Sequence, residues 1–151
     1  TATGYMGGHS PNPTYEQVCS HSTGHAETVR VVFDTALTSA ADLVQLFFEI
    51  HDPTQVGGQG NDIGDQYRSQ IWTTTPEQLR DATALRAAYQ EVLTERGFGP
   101  IQTIISPAPD AHSAARFWYA EDYHQQYLFK NPGGYECHAR TGIACPALPR
   151  S

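Results

Sequence analysis

Glycine and proline interrupt this chain so often that only short regular elements fit between them. The sequence has 13 glycines and 10 prolines in 151 residues, and they cluster in residues 1–25, 53–65 and 131–151. Such clusters favour turns and loops over helices and strands. A chain of this length predicts one domain over residues 1–151, with a Gly/Pro-rich tail at residues 131–151.

Two segments carry the start and stop signals of amphipathic helices. Ser39 is a candidate N-cap for a helix over about residues 40–50. Thr75 and Pro76 predict the start of a second helix, because a capping hydroxyl followed by proline is typical of a helix N-terminus. Gly97 predicts the end of that helix.

Strand-like runs occur at residues 28–33, 67–73 and 101–105, where β-branched and aromatic residues are concentrated. Residues 1–25 are predicted to hold little regular structure. Strands that alternate with helices indicate an α+β fold, which we expect as a two-layer α/β sandwich with a mixed sheet and long loops. The loop over residues 53–65 is long for a compact domain, and loops of that length are usually functional.

The charge balance argues against two classes of partner. Nine Lys and Arg against sixteen Asp and Glu give a net charge of −7, which disfavours nucleic acid and anionic membrane surfaces.

No apolar run approaches the roughly 18–20 residues of a membrane span, and residues 1–8 do not resemble a signal peptide. Three cysteines are too few for a secreted disulfide framework, so we expect a cytoplasmic protein.

Four side chains are candidates for acid–base chemistry. Glu27 stands at the edge of an apolar strand, where loss of solvent raises the pKa of a carboxyl so that it can donate a proton near neutral pH. The alternative is a solvated glutamate at a strand end. Asp62 either supports such a site or forms an Asx turn. Tyr15 and Tyr67 either donate their hydroxyls into a pocket or pack as aromatic rings.

The cysteines allow two interpretations. Cys137 and Cys145 lie in a glycine-containing tail that can bend until the sulfurs meet, and a flexible pair suits thiol–disulfide exchange. Two unrelated thiols explain the same spacing equally well. Cys19 is predicted to be a small packed side chain. His138 adjoins Cys137, but no second pair completes a zinc site, and no phosphate-binding loop is present; we therefore predict no metal and no cofactor.

Nine motifs spread along nearly the whole chain carry a family resemblance. They are GYMGG (4–8), PNPTY (11–15), VCS (18–20), TGHAE (23–27), HDP (51–53), QGND (59–62), QYRS (66–69), AEDYHQQYL (120–128) and NPGGY (131–135). Together they resemble the peptide-methionine sulfoxide reductases of the A type.

The resemblance implies a role for each candidate group. It implies that Glu27 protonates the sulfoxide oxygen, that Tyr15 and Tyr67 hydrogen-bond this oxygen, and that Asp62 supports the site. It also implies that the two tail cysteines relay the oxidation to thioredoxin. A thiolate that attacks the sulfoxide sulfur completes the implied chemistry.

One expected part is not found in these 151 residues. In the family the attacking cysteine belongs to a Gly-Cys-Phe-Trp segment upstream of the part that matches residues 4–8, and no such segment occurs here. We therefore expect the first strand and first helix of the family fold to be missing as well. Three explanations stay open: a piece of a longer or cleaved enzyme, an inactive remnant, and a natural short form.

These observations support hypotheses of three classes. The first is reduction of methionine sulfoxide, a polar oxidation product, with the thiolate supplied by an upstream or separate segment. The second is thiol-free acid–base catalysis, such as a Pictet–Spengler condensation of an amine with an aldehyde, with Glu27 as proton donor and Trp118 as a stacking surface. The third is a binding module that self-associates through strand edges left unpaired.

Overall fold

The computed structural model describes residues 1–137 and 139–149, and it confirms the predicted α+β class. Short strands alternate with helices along the chain. The strands are β1 (Ala2–Met6), β2 (Ala26–Arg30), β3 (Gly58–Gln59), β4 (Asp62–Ile63), β5 (Gln70–Thr73), β6 (Ile104–Pro107) and β7 (Trp118–Tyr119). The helices are α1 (Tyr15–Cys19), α2 (Ala40–Glu49), α3 (Pro76–Glu95) and α4 (Tyr127–Lys130), with 3₁₀ turns at Asp65–Tyr67 and Asp122–His124.

The strands divide among three small sheets. One sheet has the order β2-β1-β7 with antiparallel pairs, β3 and β4 form an antiparallel hairpin, and β5 pairs with β6 in parallel. Parallel and antiparallel pairs both occur, as a mixed sheet requires, but they occur in separate sheets.

The two predicted helices form where their end signals place them. The Ser39 hydroxyl accepts the Asp42 backbone N–H at 3.1 Å, and the Thr75 hydroxyl accepts the Gln78 N–H at 3.2 Å. α2 ends at Glu49, one residue before the predicted end, and α3 ends at Glu95, two residues before Gly97. None of the helices in the described part of the chain is long and apolar enough to cross a membrane.

The strand boundaries differ more, because each strand extends only as far as its partner. β2 begins two residues earlier than predicted and ends at Arg30, where its pairing with β1 ends. β5 begins at Gln70, after the 3₁₀ turn Asp65–Tyr67. β6 pairs with β5 from Ile104 onward rather than from residue 101.

The prediction that residues 1–25 hold little regular structure was wrong. β1 is the central strand of its sheet, and Tyr5 pairs with Glu27 on one side and with Trp118 on the other. Gly4 suits this crowded position, since a Cβ there would lie 2.3 Å from the Trp118 carbonyl oxygen. α1 begins with a capping box formed by Thr14 and Gln17.

The larger core lies between α2, α3 and the tail. Phe48, Leu85, Tyr89, Leu93 and Cys145 are buried together there. The Tyr89 hydroxyl donates to the carbonyl oxygen of residue 143 at 2.7 Å, so this part of the tail is packed against the helices. Residues 138, 150 and 151, and with them the histidine weighed as a zinc ligand, lie outside the described residues.

Replacing Phe48 with alanine tests this core. The side chain is 0% exposed, so Phe48→Ala should lower the free energy of unfolding by about 3–5 kcal/mol. Phe129, which is 86% exposed, provides the control, and Phe129→Ala should stay within about 0.5 kcal/mol of the parent. Urea unfolding measures both; equal effects would contradict the assigned core.

Candidate active site

Glu27 lies in β2, on one face of the β2-β1-β7 sheet. Because Tyr5 is paired in register with both Glu27 and Trp118, the three side chains project from the same face. Tyr5 is 1% exposed and stands between the other two. The sheet therefore places the carboxyl beside a buried phenol.

The Glu27 side chain is half-buried, and its Oε1 atom is shielded from solvent. Its Oε1 has no hydrogen-bond partner among the described residues. Burial, with a smaller contribution from the negative charge of Asp62, raises the pKa of Glu27 to about 7. A carboxyl with that pKa is largely protonated just below neutral pH and ionised just above it, which suits a group that donates a proton.

Tyr67 and Asp62 belong to the segment over residues 58–67, and both interact electrostatically with this carboxyl. The 3₁₀ turn that ends at Tyr67 packs against β2 and against the β3–β4 hairpin. The Gln59 side-chain amide donates to the Tyr67 carbonyl oxygen at 3.1 Å. Burial raises the pKa of the Tyr67 phenol, and electrostatic interactions with the acidic side chains of Glu27, Cys19 and Asp62 raise it further. The hydroxyl therefore stays protonated as a donor.

Tyr15 is the first residue of α1. A hydrogen bond with the Cys19 side chain raises the pKa of the Tyr15 phenol, and burial and the nearby Tyr67 and Glu27 add to the effect. The Tyr15 ring lies 4.7 Å from the His124 ring. The structure thus brings together the four groups selected from the sequence, with two phenols and one aspartate around the Glu27 carboxyl.

Cys137 lies against the hairpin that carries Asp62. Its thiol donates to the Gln59 carbonyl oxygen at 3.3 Å, and the Tyr135 hydroxyl donates to Asp62 Oδ1 at 3.1 Å. Gly60 makes room for this contact: its φ is +59°, and a Cβ there would lie 2.7 Å from the Cys137 sulfur. The tail therefore covers the hairpin beside the candidate site.

Cys145, by contrast, belongs to the core. It is 2% exposed, and burial raises the pKa of its thiol to about 12. Both tail cysteines are free thiols in this structure. Their exchange role stays a prediction, and it requires the segment around Cys145 to leave the core.

Trp118 lies two strands from Glu27, at about 10 Å given the usual strand spacing. Its indole N–H donates to the Ala114 carbonyl oxygen at 2.8 Å, and the Arg116 guanidinium lies 3.9 Å from the ring centroid. The predicted stacking of a substrate on Trp118 is untested, and it would displace Arg116.

Two open grooves are lined by residues other than these four side chains. One, of about 370 Å³, is at the start of α3 and is lined by Thr73, Thr75 and Leu79 among others. The second, of about 280 Å³, is lined by Val29, Phe129 and neighbouring residues. Over residues 1–137 and 139–149, no three His, Cys, Asp or Glu side chains come together as a metal site.

Sequence reasoning missed two neighbours of the site, Cys19 and Glu121. The capping box at Thr14 and Gln17 is a sequence signal for the start of α1, and it would have placed Tyr15 and Cys19 one helical turn apart on the same face. Glu121 had no such signal, because its contacts with Tyr5 and Tyr15 connect residues more than 100 positions apart.

A carboxyl with a pKa of about 7 near two phenols can chemically donate a proton to an oxygen atom. The family model described as "Peptide methionine sulfoxide reductase" matches residues 1–148, and the chain belongs to this family. The sequence is 56% identical over 147 residues to a peptide methionine sulfoxide reductase MsrA of Azorhizobium caulinodans. It is 51% identical over 146 residues to the mitochondrial peptide methionine sulfoxide reductase of Homo sapiens.

These matches cover 97% of this chain but only 64% and 60% of the two relatives, so the chain spans less than two thirds of their length. Among solved structures, methionine sulfoxide reductase A of Corynebacterium diphtheriae is similar, with a TM-score of 0.82 and 43% identity over 98% of this chain and 71% of that one. Reduced Mxr1 of Saccharomyces cerevisiae matches with a TM-score of 0.80 and 32% identity over 92% of this chain and 75% of its own.

The pH dependence of stability tests the environment of Glu27. Because the pKa of about 7 in the folded chain lies above the ordinary 4.5, the native state holds this proton more tightly than the unfolded state. The contribution of Glu27 protonation to the free energy of unfolding is complete below about pH 4.5 and is lost as the pH rises through 7. The melting temperature of the parent should fall relative to Glu27→Gln across that window; parallel curves would contradict the assignment.

The charge of Asp62 provides a second test. Asp62→Asn should lower the pKa of Glu27, measured by carboxyl carbon NMR titration, because it removes a repulsive neighbouring charge. The pKa should stay above the ordinary value, since burial is the larger cause. Asp65→Asn is the matched control, and it should leave the Glu27 titration in place. A pKa that Asp62→Asn does not move would exclude the interaction.

Proposed function

We propose that this chain forms the proton-donating part of a methionine sulfoxide reductase site. The observation that carries the proposal is the half-buried Glu27 carboxyl, which has a pKa of about 7 and a buried Oε1 atom without a hydrogen-bond partner among the described residues. Family membership supports the substrate class, since relatives above 50% identity bear the reductase name.

In the proposed reaction Tyr15 and Tyr67 donate hydrogen bonds to the sulfoxide oxygen. Glu27 gives its proton to that oxygen while a thiolate attacks the sulfoxide sulfur. The new bond joins the cysteine sulfur to the sulfoxide sulfur, which now carries a hydroxyl group. The S–O bond then breaks and releases hydroxide, which attacks the cysteine sulfur; the S–S bond breaks, the sulfide leaves, and the cysteine becomes a sulfenic acid. A second thiol then attacks the sulfenic sulfur, which forms a disulfide and releases water. Overall, one sulfoxide and two thiols give one sulfide, one disulfide and one water.

The source of the attacking thiolate is part of the proposal. We propose that a segment outside residues 1–151, upstream or separate, supplies it. Cys137 and then Cys145 would pass the oxidation on to thioredoxin. Cys137 is suited to the first step because it lies against the hairpin that bears Asp62. Cys19 also interacts with the Tyr15 hydroxyl, and it is therefore included in the test.

A small thiol can replace the proposed segment in an assay. The chain should accelerate the reduction of a methionine sulfoxide peptide by dithiothreitol, followed as loss of one oxygen by mass spectrometry. Glu27→Gln should slow the reaction by about 10²-fold, the usual contribution of a general acid. Glu91→Gln, at an exposed position on α3, is the control, and Cys19→Ser should retain the acceleration.

Two outcomes would refute the proposal: no acceleration over dithiothreitol alone, or equal rates for Glu27→Gln and the parent. The thiol-free amine–aldehyde condensation stays an alternative prediction. It is distinguished by activity that depends on Glu27 but survives the joint replacement of Cys19, Cys137 and Cys145 with serine.

A further inference from the structure

The Glu121 carboxylate lies where three elements around the candidate site meet. Its Oε1 accepts the Tyr5 hydroxyl at 3.3 Å, and its Oε2 accepts the Tyr123 hydroxyl at 3.1 Å. The Tyr15 backbone N–H points between the two oxygens, at 3.3 Å from each. All three partners are donors, so an ionised carboxylate, which only accepts, satisfies them together. In a glutamine, an NH2 group would replace one carboxylate oxygen. That NH2 group is a donor, so it could not accept a hydrogen bond from any of the three partners.

Two of the three partners lead directly to the proton-donating group. Tyr5 is the cross-strand neighbour of Glu27, so a hydrogen bond that fixes the Tyr5 ring also fixes one wall beside the carboxyl. The Tyr15 N–H is the first of α1, and such an N–H has no acceptor within its own helix. The hydrogen bond from this N–H to Glu121 fixes where the helix begins and therefore where the Tyr15 hydroxyl lies.

Glu121 is itself held by the preceding and following residues. The backbone N–H of Ala120 donates to the Thr3 carbonyl oxygen at 3.0 Å and so extends the contact with β1. The Gln125 side chain accepts the Thr3 N–H at 2.9 Å and donates to the carbonyl oxygens of Thr3 and Ala120 at 2.8 and 2.9 Å. The segment that carries the Glu121 carboxylate is therefore held in place by hydrogen bonds of the residues before and after it.

We propose that Glu121 is a positioning residue of the candidate site, which orients Tyr15 and Tyr5 around Glu27 through the hydrogen bonds that it accepts from these two residues. The inferred effect of Glu121 on turnover rests on the proposed function. The inferred effect of Glu121 on the position of Tyr15 does not depend on that function. Glu121 acts through geometry, because burial and Asp62 account for the raised pKa of Glu27.

The experiment combines Glu121→Gln with two readouts. In chain labelled with 3-fluorotyrosine, the fluorine resonance of Tyr15, assigned with Tyr15→Phe, should shift in Glu121→Gln. In the dithiothreitol assay kcat should fall about tenfold, as expected for a misplaced donor, with KM changed less than twofold. The midpoint of the pH profile should not move. The fluorine readout decides the placement of Tyr15 even if the chain reduces no sulfoxide.

Two matched controls separate positioning from other effects. Tyr123→Phe removes only the partner that does not lead to Glu27, and Glu16→Gln removes a carboxylate of the same helix; both should match the parent. If Glu121→Gln fails to fold, Glu121→Asp keeps the acceptor but shortens its reach, and it should show the same Tyr15 shift and a smaller loss of rate. An unmoved Tyr15 resonance, an equal loss in Tyr123→Phe, or a displaced pH midpoint would each overturn the proposal.

Discussion

The pairing register of β1 is the constraint on which the rest of the site depends. β1 is paired on both sides, so the position of Tyr5 opposite Glu27 also fixes its position opposite Trp118. A slip of one residue would turn every side chain of the strand to the other face of the sheet. The Glu27 carboxyl would then lose the phenol beside it, and the hydrogen bond from Tyr5 to Glu121 would be lost as well.

The chemistry of the site depends on the Glu27 carboxyl, which is partly shielded from water and has no positively charged partner among the described residues. No ion pair of Glu27 is found among the described residues, and the nearby charge of Asp62 is of the same sign. Both effects favour the neutral acid. The neighbouring phenols of Tyr15 and Tyr67 also hold their protons, because their own pKa values are raised. The site therefore presents O–H donors where an oxygen atom of a substrate could accept them.

The three cysteines share one residue type but have three different surroundings. Cys19 lies beside Tyr15 in the candidate site, Cys137 lies against Gly60, and Cys145 is part of the core between α2 and α3. Burial opposes ionisation of a thiol, so the Cys145 thiol is poorly suited to exchange as long as it stays packed. Spacing in the sequence could not distinguish these cases, because burial depends on contacts with distant residues.

The sequence by itself determined the features that depend on a few neighbouring residues. The starts of α2 and α3 followed from Ser39 and from Thr75 with Pro76, because a helix cap is made within one turn of chain. The α+β class and the four candidate side chains were also available from the sequence, the latter supported by family resemblance. Only the tertiary structure decided the strand boundaries, the burial that raises the pKa of Glu27, and the contacts of Glu121. Each of these arises where segments far apart in the chain meet, and no local pattern encodes which segments do so.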